Sequence, residues 1–341
     1  MAVRKVGTSR IVREIGRGGM GIVYEAYQEA LDRRVAVKAL DATQAKNREL
    51  VERFQREGRA YAQIHHPGIV AVYDLVEKDE AFYLVTEFVH GSDIYRILES
   101  GGPLPPACVA VVGARVADAL DCAHARALVH RDVKPSNVMV SREGEVKLLD
   151  FGVAKDSVST SLTKTGVVVG TLAYLAPEVL GGSPATAASD IWSLGVALYE
   201  MCTGRRPFEG DGHSEVVAAV CRGRFTAIRA LVPGFPRRLA RAIERCMARD
   251  PQRRWLTAGA LAHELQLLAN RLGGRVRARD LLTGLLEARG LASESAISPK
   301  VAAPTAAPRR RGLAWATLAA ALALVMGLAA YAWFSSGWRS G

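Results

Sequence analysis

Paired cysteines are the first thing this 341-residue sequence lacks. Its five, at 108, 122, 202, 221 and 246, are scattered, odd in number and never spaced C-x-x-C. That argues against a disulfide framework or a zinc site, and it suits a reducing compartment. The N-terminal stretch MAVRKVGTSRIVRE has no apolar run, so no cleaved signal peptide is expected. Disorder is not expected either, because 49% hydrophobic residues can fill a sizeable core and the length allows two lobes or domains. A basic excess on the body of the chain is also missing. Of the net charge of +11, the segment 271–311 holds nine Lys or Arg against three Asp or Glu, Arg339 adds one, and only +4 remains for everything before position 271. A nucleic-acid binder carries its basic residues on the folded body, so no nucleic-acid partner is expected. A basic segment beside a C-terminal apolar run points to a membrane surface instead.

That run is GLAWATLAAALALVMGLAAYAWF, uncharged throughout, at 312–334. At ~1.5 Å per residue it is long enough for ~30 Å of hydrocarbon. Trp315 near one end and Tyr331 and Trp333 near the other resemble interfacial belts. The alternative is a buried core helix, since the many alanines in 313–334 make it only moderately hydrophobic. The Pro/Ala linker before it, 296–308, leaves no domain to bury it, so a transmembrane helix is expected. Arg309, Arg310 and Arg311 precede the run and Arg339 follows it, so the positive-inside rule keeps 1–311 cytoplasmic. The expectation is a single-pass inner-membrane protein with a short extracytoplasmic tail at 335–341. Ala319, Ala323 and Gly327 recur at every fourth position, a small-xxx-small face that can support a homodimer.

Gly16, Gly18 and Gly21 in IGRGGMGIVYEAYQ form a G-x-G-x-x-G, which lets backbone N–H groups approach phosphates. Two unrelated machines use it, a dinucleotide-binding strand–loop–helix and a hairpin lid over ATP. Asp41 follows Gly21 at the separation where a ribose-binding acid would stand. But Ile22, Val23 and Tyr24 follow at once with β-type residues, and SRIVREI ahead also reads as strand. A glycine-tipped hairpin fits better.

Downstream of Gly21, RRVAVKAL carries Lys38, and the helical segment ELVERFQREGRAYAQI then carries Glu57. Next come LVHRDVKPSNVMV, VKLLDFGVAK, GTLAYLAPE and SDIWSLGVALYEM. In this order and spacing the chain resembles the protein kinase family over residues 9–268, specifically the membrane-anchored, eukaryotic-like (Hanks-type) serine/threonine kinases of bacteria. The resemblance implies an α+β bilobal fold, with a β-rich small lobe at 9–88 and a helical large lobe at 89–268. A basic juxtamembrane segment with its Pro/Ala linker (269–311) and the membrane helix would follow. Within the juxtamembrane segment, ARDLLTGLLEARGL suits a helix lying on anionic lipid, with a folded extension of the large lobe as the alternative.

The resemblance also implies roles. Gly16, Gly18 and Gly21 would let the lid reach the phosphates of ATP, and Val23 would pack on adenine. Lys38 would hold the α- and β-phosphates, oriented by an ion pair with Glu57. Glu87 and Val89 would offer backbone bonds to adenine behind Thr86, and Asp93 would reach the ribose. Asp132 would accept or orient the acceptor proton, and Lys134 would touch the γ-phosphate. Asn137 and Asp150 would supply hard oxygen ligands to Mg²⁺, with Mn²⁺ as a substitute. Arg131 would grip a phosphate on the activation segment, where Thr163 and Thr165 stand at the autophosphorylation positions. His130, Asp190, Glu178 and Arg254 read as structural. The partners implied are proteins with Ser/Thr acceptors, and membrane lipid through the span and the basic segment. The competing class is a membrane-tethered pseudokinase scaffold, whose usual signature is loss of Lys38, Asp132 or Asp150; all three are present.

Overall fold

β-branched and aromatic residues alternating with polar ones mark the first segments as strands. The computed structural model describes residues 5–18, 21–40, 48–79, 81–150, 169–273 and 276–292. It forms a six-stranded sheet from β1 (Lys5–Val6), β2 (Ser9–Gly18), β3 (Gly21–Gln28), β4 (Arg33–Leu40), β5 (Val72–Lys78) and β6 (Ala81–Glu87). The order is β1-β2-β3-β4-β6-β5, every pair antiparallel. Period-two alternation sends Val35 and Val37 to one face, where they cluster with Val6, Ala26, Tyr83 and Val85. The opposite face carries Lys38 and Leu40. Helix α1 (Arg48–Ala62) covers it, burying Val51, Phe54 and Tyr61 at helical spacing.

β6 ends at Glu87. A short three-stranded sheet follows, from β7 (Gly91–Asp93), β8 (Val138–Ser141) and β9 (Val146–Leu148). Gly91 is demanded by packing, because a Cβ there would overlap the Val140 carbonyl oxygen. Helix α2 (Ile94–Gly101) leaves β7 directly, and α3 (Pro106–His124) runs through the core with Pro106 at its first turn. Short helices α4 (Val169–Leu172) and α5 (Pro177–Leu180) lead to α6 (Ala187–Thr203). A Thr186–Ser189 capping box opens α6, and Gly204, at φ 69°, ends it. The rest is α7 (His213–Arg222), α8 (Ile228–Leu231), α9 (Arg237–Cys246), α10 (Ala258–Gly273) and α11 (Ala278–Ala288). Helices α10 and α11 run past residue 268.

Helix α11 decides between the two readings of ARDLLTGLLEARGL, and the lipid reading is corrected. Leu282, Leu285, Leu286 and Leu291 are buried in the main core, so the apolar stripe faces protein and not a bilayer. Each such leucine contributes about 1.5–3 kcal/mol on burial. Periodicity alone cannot separate the two, since a lipid surface and a protein groove ask for the same stripe. Among the described residues no helix is long and apolar enough to cross a membrane. The run at 312–334, the linker at 296–308 and the tail lie outside the described residues.

Candidate active site

The glycine stretch is a hairpin. β2 and β3 pair Gly16 with Val23 and close at Gly18 with Gly21. Strand β4 lies between β3 and β6, so Lys38 is the cross-strand partner of Val23 on one side and Leu84 on the other. This register puts the expected adenine-packing residue beside the expected phosphate-binding lysine. At the end of β6, the Glu87 N–H donates to the Ala71 carbonyl (2.8 Å), which leaves its carbonyl as the group able to meet adenine. The Glu87 carboxylate is occupied elsewhere, with Lys147 at 2.8 Å and the Ala71 N–H at 3.2 Å. Val89 lies buried in the connection between the lobes. Asp93, expected at the ribose, also caps a helix. Its Oδ1 accepts from the Arg96 N–H (2.9 Å) as the N-cap of α2, and the residue is fully buried.

The catalytic loop is held from below. Asp190, in the first turn of α6 and 1% exposed, accepts from the His130 N–H (2.7 Å) and the Arg131 N–H (2.8 Å), with His124 Nε2 also at 2.8 Å. These bonds fix Arg131 at φ 65°, a left-handed conformation costing about 1–3 kcal/mol for a side chain of this size. His130 is structural, as expected. The Asp132 N–H can only donate, so His130 Nδ1 accepts (3.2 Å) and Nε2 carries the proton donated to the Leu149 carbonyl (2.8 Å). Full burial lowers the basicity of this ring and keeps it neutral.

Asp132 and Lys134 meet at 3.0 Å, both nearly buried. The Asn137 side-chain amide donates to the Asp132 carbonyl (2.7 Å), which turns its own carbonyl oxygen to the other side. The β8–β9 hairpin pairs Val138 with Leu148, and the Leu149 N–H donates to the Asn137 carbonyl (2.8 Å). Asn137 and Asp150, distant in sequence, therefore sit together at the open end of one hairpin. Asp150 is at φ 45°, and its Oδ2 is 3.0 Å from Lys38 Nζ. A carboxylate plus a carboxamide oxygen is a hard, incomplete donor set, which fits a magnesium ion that completes its shell with phosphates and water. Among the described residues there is no group of three or more His, Cys, Asp or Glu that could hold a metal ion.

Two relationships were not legible in the sequence. Glu57 Oε1 is 2.9 Å from Arg131 Nη1, an ion pair between α1 and the catalytic loop. The Tyr174 hydroxyl donates to the half-buried Glu200 carboxylate, tying the segment after α4 to α6. Burial raises the Glu200 carboxyl above its ordinary value. Glu178 and Arg254, read as structural, form an ion pair that is bidentate at 2.7 and 2.8 Å, with the guanidinium 4.9 Å from the Trp192 ring centre. Thr163 and Thr165 lie outside the described residues.

Residues 9–265 match the family profile described as the protein kinase domain. The serine/threonine-protein kinase PrkC of Bacillus subtilis is 37% identical over 252 residues, covering 74% of this chain and 39% of that protein. The serine/threonine-protein kinase PknA of Mycobacterium tuberculosis is 39% identical over 261 residues, 75% of this chain and 60% of its own. This chain thus spans less than two thirds of the length of either relative. Among solved structures, the PknI kinase domain of Mycobacterium tuberculosis superposes with a TM-score of 0.62 at 26% identity, covering 78% of this chain and 99% of that one. Rad53 1-466 in complex with AMP-PNP gives 0.64 at 25% identity, covering 75% and 64%.

Proposed function

Because the chain belongs to the protein kinase family, we propose that it transfers the γ-phosphoryl group of ATP to serine or threonine hydroxyls of proteins, as a bacterial Hanks-type kinase. The observation that carries this reading is the convergence of Lys38, Asp132, Lys134, Asn137 and Asp150 through contacts of 2.7–3.0 Å. In this reading Asp132, oriented by the pinned loop, takes or directs the acceptor proton. Lys134 faces the γ-phosphate and Lys38 the α- and β-phosphates. Asn137 and Asp150 hold Mg²⁺, with Mn²⁺ as a substitute, and the metal neutralises charge on the group in transfer. Positioning and electrostatics then supply most of the rate.

The Arg131–Glu57 pair supports a resting state that waits for phosphorylation. A phosphate on Thr163 or Thr165 carries close to two negative charges and competes for Arg131, which frees Glu57 to turn to Lys38. The chain is further proposed to be anchored in the inner membrane through 312–334, with the kinase domain cytoplasmic. Lipid contact through the basic residues 309–311 and dimerisation through the Ala319/Ala323/Gly327 face belong to the same proposal. A scaffold without chemistry is not favoured, since none of the groups that such proteins lose has been lost.

The test is transfer of labelled γ-phosphate from ATP to a Ser/Thr-bearing protein such as myelin basic protein, followed by phosphoamino-acid analysis. Phosphoserine or phosphothreonine is expected, and ATP binding with no transfer under any metal would return the scaffold reading. Anchoring is tested separately by alkaline carbonate extraction of membranes, which a spanning helix resists and a peripheral protein does not.

A further inference from the structure

Helix α11 lies beyond the family match, which ends at residue 265. One end meets the turn of the small sheet that delivers the metal-binding pair, and the other meets the end of α2, the helix that leaves that sheet. β8 starts immediately after Asn137, and β9 ends just before Leu149 and Asp150. The placement of both groups therefore depends on where the β8–β9 hairpin is held. Its closed end is the turn that contains Gly144 and Glu145. Gly144 is at φ 73°, and a Cβ there would lie 2.5 Å from the Arg279 carbonyl oxygen and 2.8 Å from Arg279 Cα. Backbone meets backbone at this point, and only glycine fits both the conformation and the contact. Arg279 Nη2 adds an ion pair to Glu145 at 2.7 Å, exposed and so weak by itself.

The other end of the strap is stronger. The Arg289 guanidinium donates to the carbonyls of Ile97, Gly102 (2.9 Å) and Pro103 (3.0 Å), at the C-terminal end of α2. Carbonyls at a helix C-terminus lack intrahelical donors and carry partial negative charge, so a forked cation satisfies them well. Helix α2 continues directly from β7, and β7 pairs with β8 through Gly91 and Ser141. Between the two grips, Leu282, Leu285 and Leu286 anchor the strap in the core.

We propose that Arg289 and Gly144 are positioning residues for the metal site: α11 holds the β8–β9 turn at one end and the C-terminal end of α2, which continues from β7, at the other, and thereby sets the spacing of Asn137 and Asp150. The inference rests on the reading of those two residues as metal ligands, and the experiment separates the two. ATP binding to the full chain is measured by calorimetry across a Mg²⁺ titration, for the wild type, Arg289→Ala, Arg289→Lys, Gly144→Ala and the control Thr283→Ala on the same helix. Hydrogen exchange of the 138–148 amides is followed in parallel. Arg289→Ala and Gly144→Ala are expected to raise the half-saturating Mg²⁺ by about 10-fold, the scale seen when partners of metal ligands are removed. They should speed exchange in the hairpin and leave metal-free ATP affinity unchanged. Arg289→Lys, which keeps the charge but not the fork, should fall between, and Thr283→Ala should match wild type. A uniform loss of melting temperature with unchanged Mg²⁺ dependence and unchanged hairpin exchange would overturn the proposal and leave α11 a passive cap. If Arg289→Ala does not fold, Gly144→Ala, which leaves the leucine face intact, carries the test alone. Wild-type ATP binding indifferent to Mg²⁺, and unaffected by Asp150→Asn, would overturn the ligand reading itself and the inference with it.

Discussion

Arg131 Nη1 lies 2.9 Å from Glu57 Oε1, while Lys38 Nζ lies 3.0 Å from Asp150 Oδ2. The two residues expected to pair with each other, Lys38 and Glu57, thus each hold a partner from the large lobe. Arg131 is about a third exposed, where a phosphate can reach it, and Glu57 is mostly buried. An arginine cannot fully serve a buried carboxylate and a phosphate dianion at once, so the pair is a natural point of control.

Replacing Arg131 by alanine is expected to uncouple phosphorylation from activity. The unphosphorylated variant should be as active as unphosphorylated wild type or a few-fold more, because about 1–2 kcal/mol of charge-assisted bonding no longer holds Glu57. The several-fold activation that follows incubation with ATP should be lost. Initial rates before and after autophosphorylation check this, and equal activation in wild type and Arg131→Ala would sink the switch.

Gly58 follows Glu57 in α1 and reads in the sequence as a weak point of that helix. An added Cβ would meet only Leu84 and Leu75 side-chain atoms at 3.6–3.9 Å, ordinary contact distances. Gly58→Ala is therefore expected to stabilise the protein by about 0.5–1 kcal/mol. Urea titration of the two forms checks it, and destabilisation would show that α1 cannot accept the methyl group.

Arg254 is 1% exposed and is shared between Glu178 and the carbonyls of Ala188, Ala248 and Arg249. Arg254→Ala strands a buried carboxylate and several carbonyls, and should cost about 3–5 kcal/mol. Arg254→Lys should recover only part, since an ammonium cannot bridge bidentately. Chemical denaturation measures both, and a loss under about 1 kcal/mol would mean the pair behaves as a surface ion pair.

His130 sets a pH dependence. Its basicity in the folded state is lowered by burial, so below its ordinary value near ~6.5 the unfolded chain binds a proton that the folded chain refuses. Stability is therefore fully present above that pH and is lost as pH falls, by at most about 1.4 kcal/mol per pH unit for this one group. His90, also lowered chiefly by burial, acts in the same direction. Melting temperatures between about pH 7.5 and 5.5 should fall with acidity, less steeply in His130→Asn. Parallel slopes for the two proteins would contradict the assignment.

Much of this was legible in the sequence because the catalytic groups sit at fixed spacings on strands and loops of strong local character. Ile22-Val23-Tyr24 after Gly21 separated a hairpin from a strand–loop–helix, and the β2–β3 register agrees. Asp190 and the Glu178–Arg254 pair were found where the motif order implied. Pairings between distant side chains were not legible. Nothing local distinguishes an Arg131 that grips phosphate from one that grips Glu57. The N-cap role of Asp93 was not legible either, because a helix N-cap and a ribose ligand both call for an acid in the same turn. The leucines of α11 failed for a different reason, as a periodic apolar stripe does not say what covers it.

Intact mass spectrometry of the full chain asks whether Asp132 drives phosphoryl transfer, the proposed role on which the others depend. Wild type and Asp132→Asn are incubated with Mg²⁺ and ATP and compared. The account predicts added phosphates on the wild type alone, mapping to Thr163 or Thr165. Equal phosphate on both proteins, or none on a wild type that binds ATP, would contradict it.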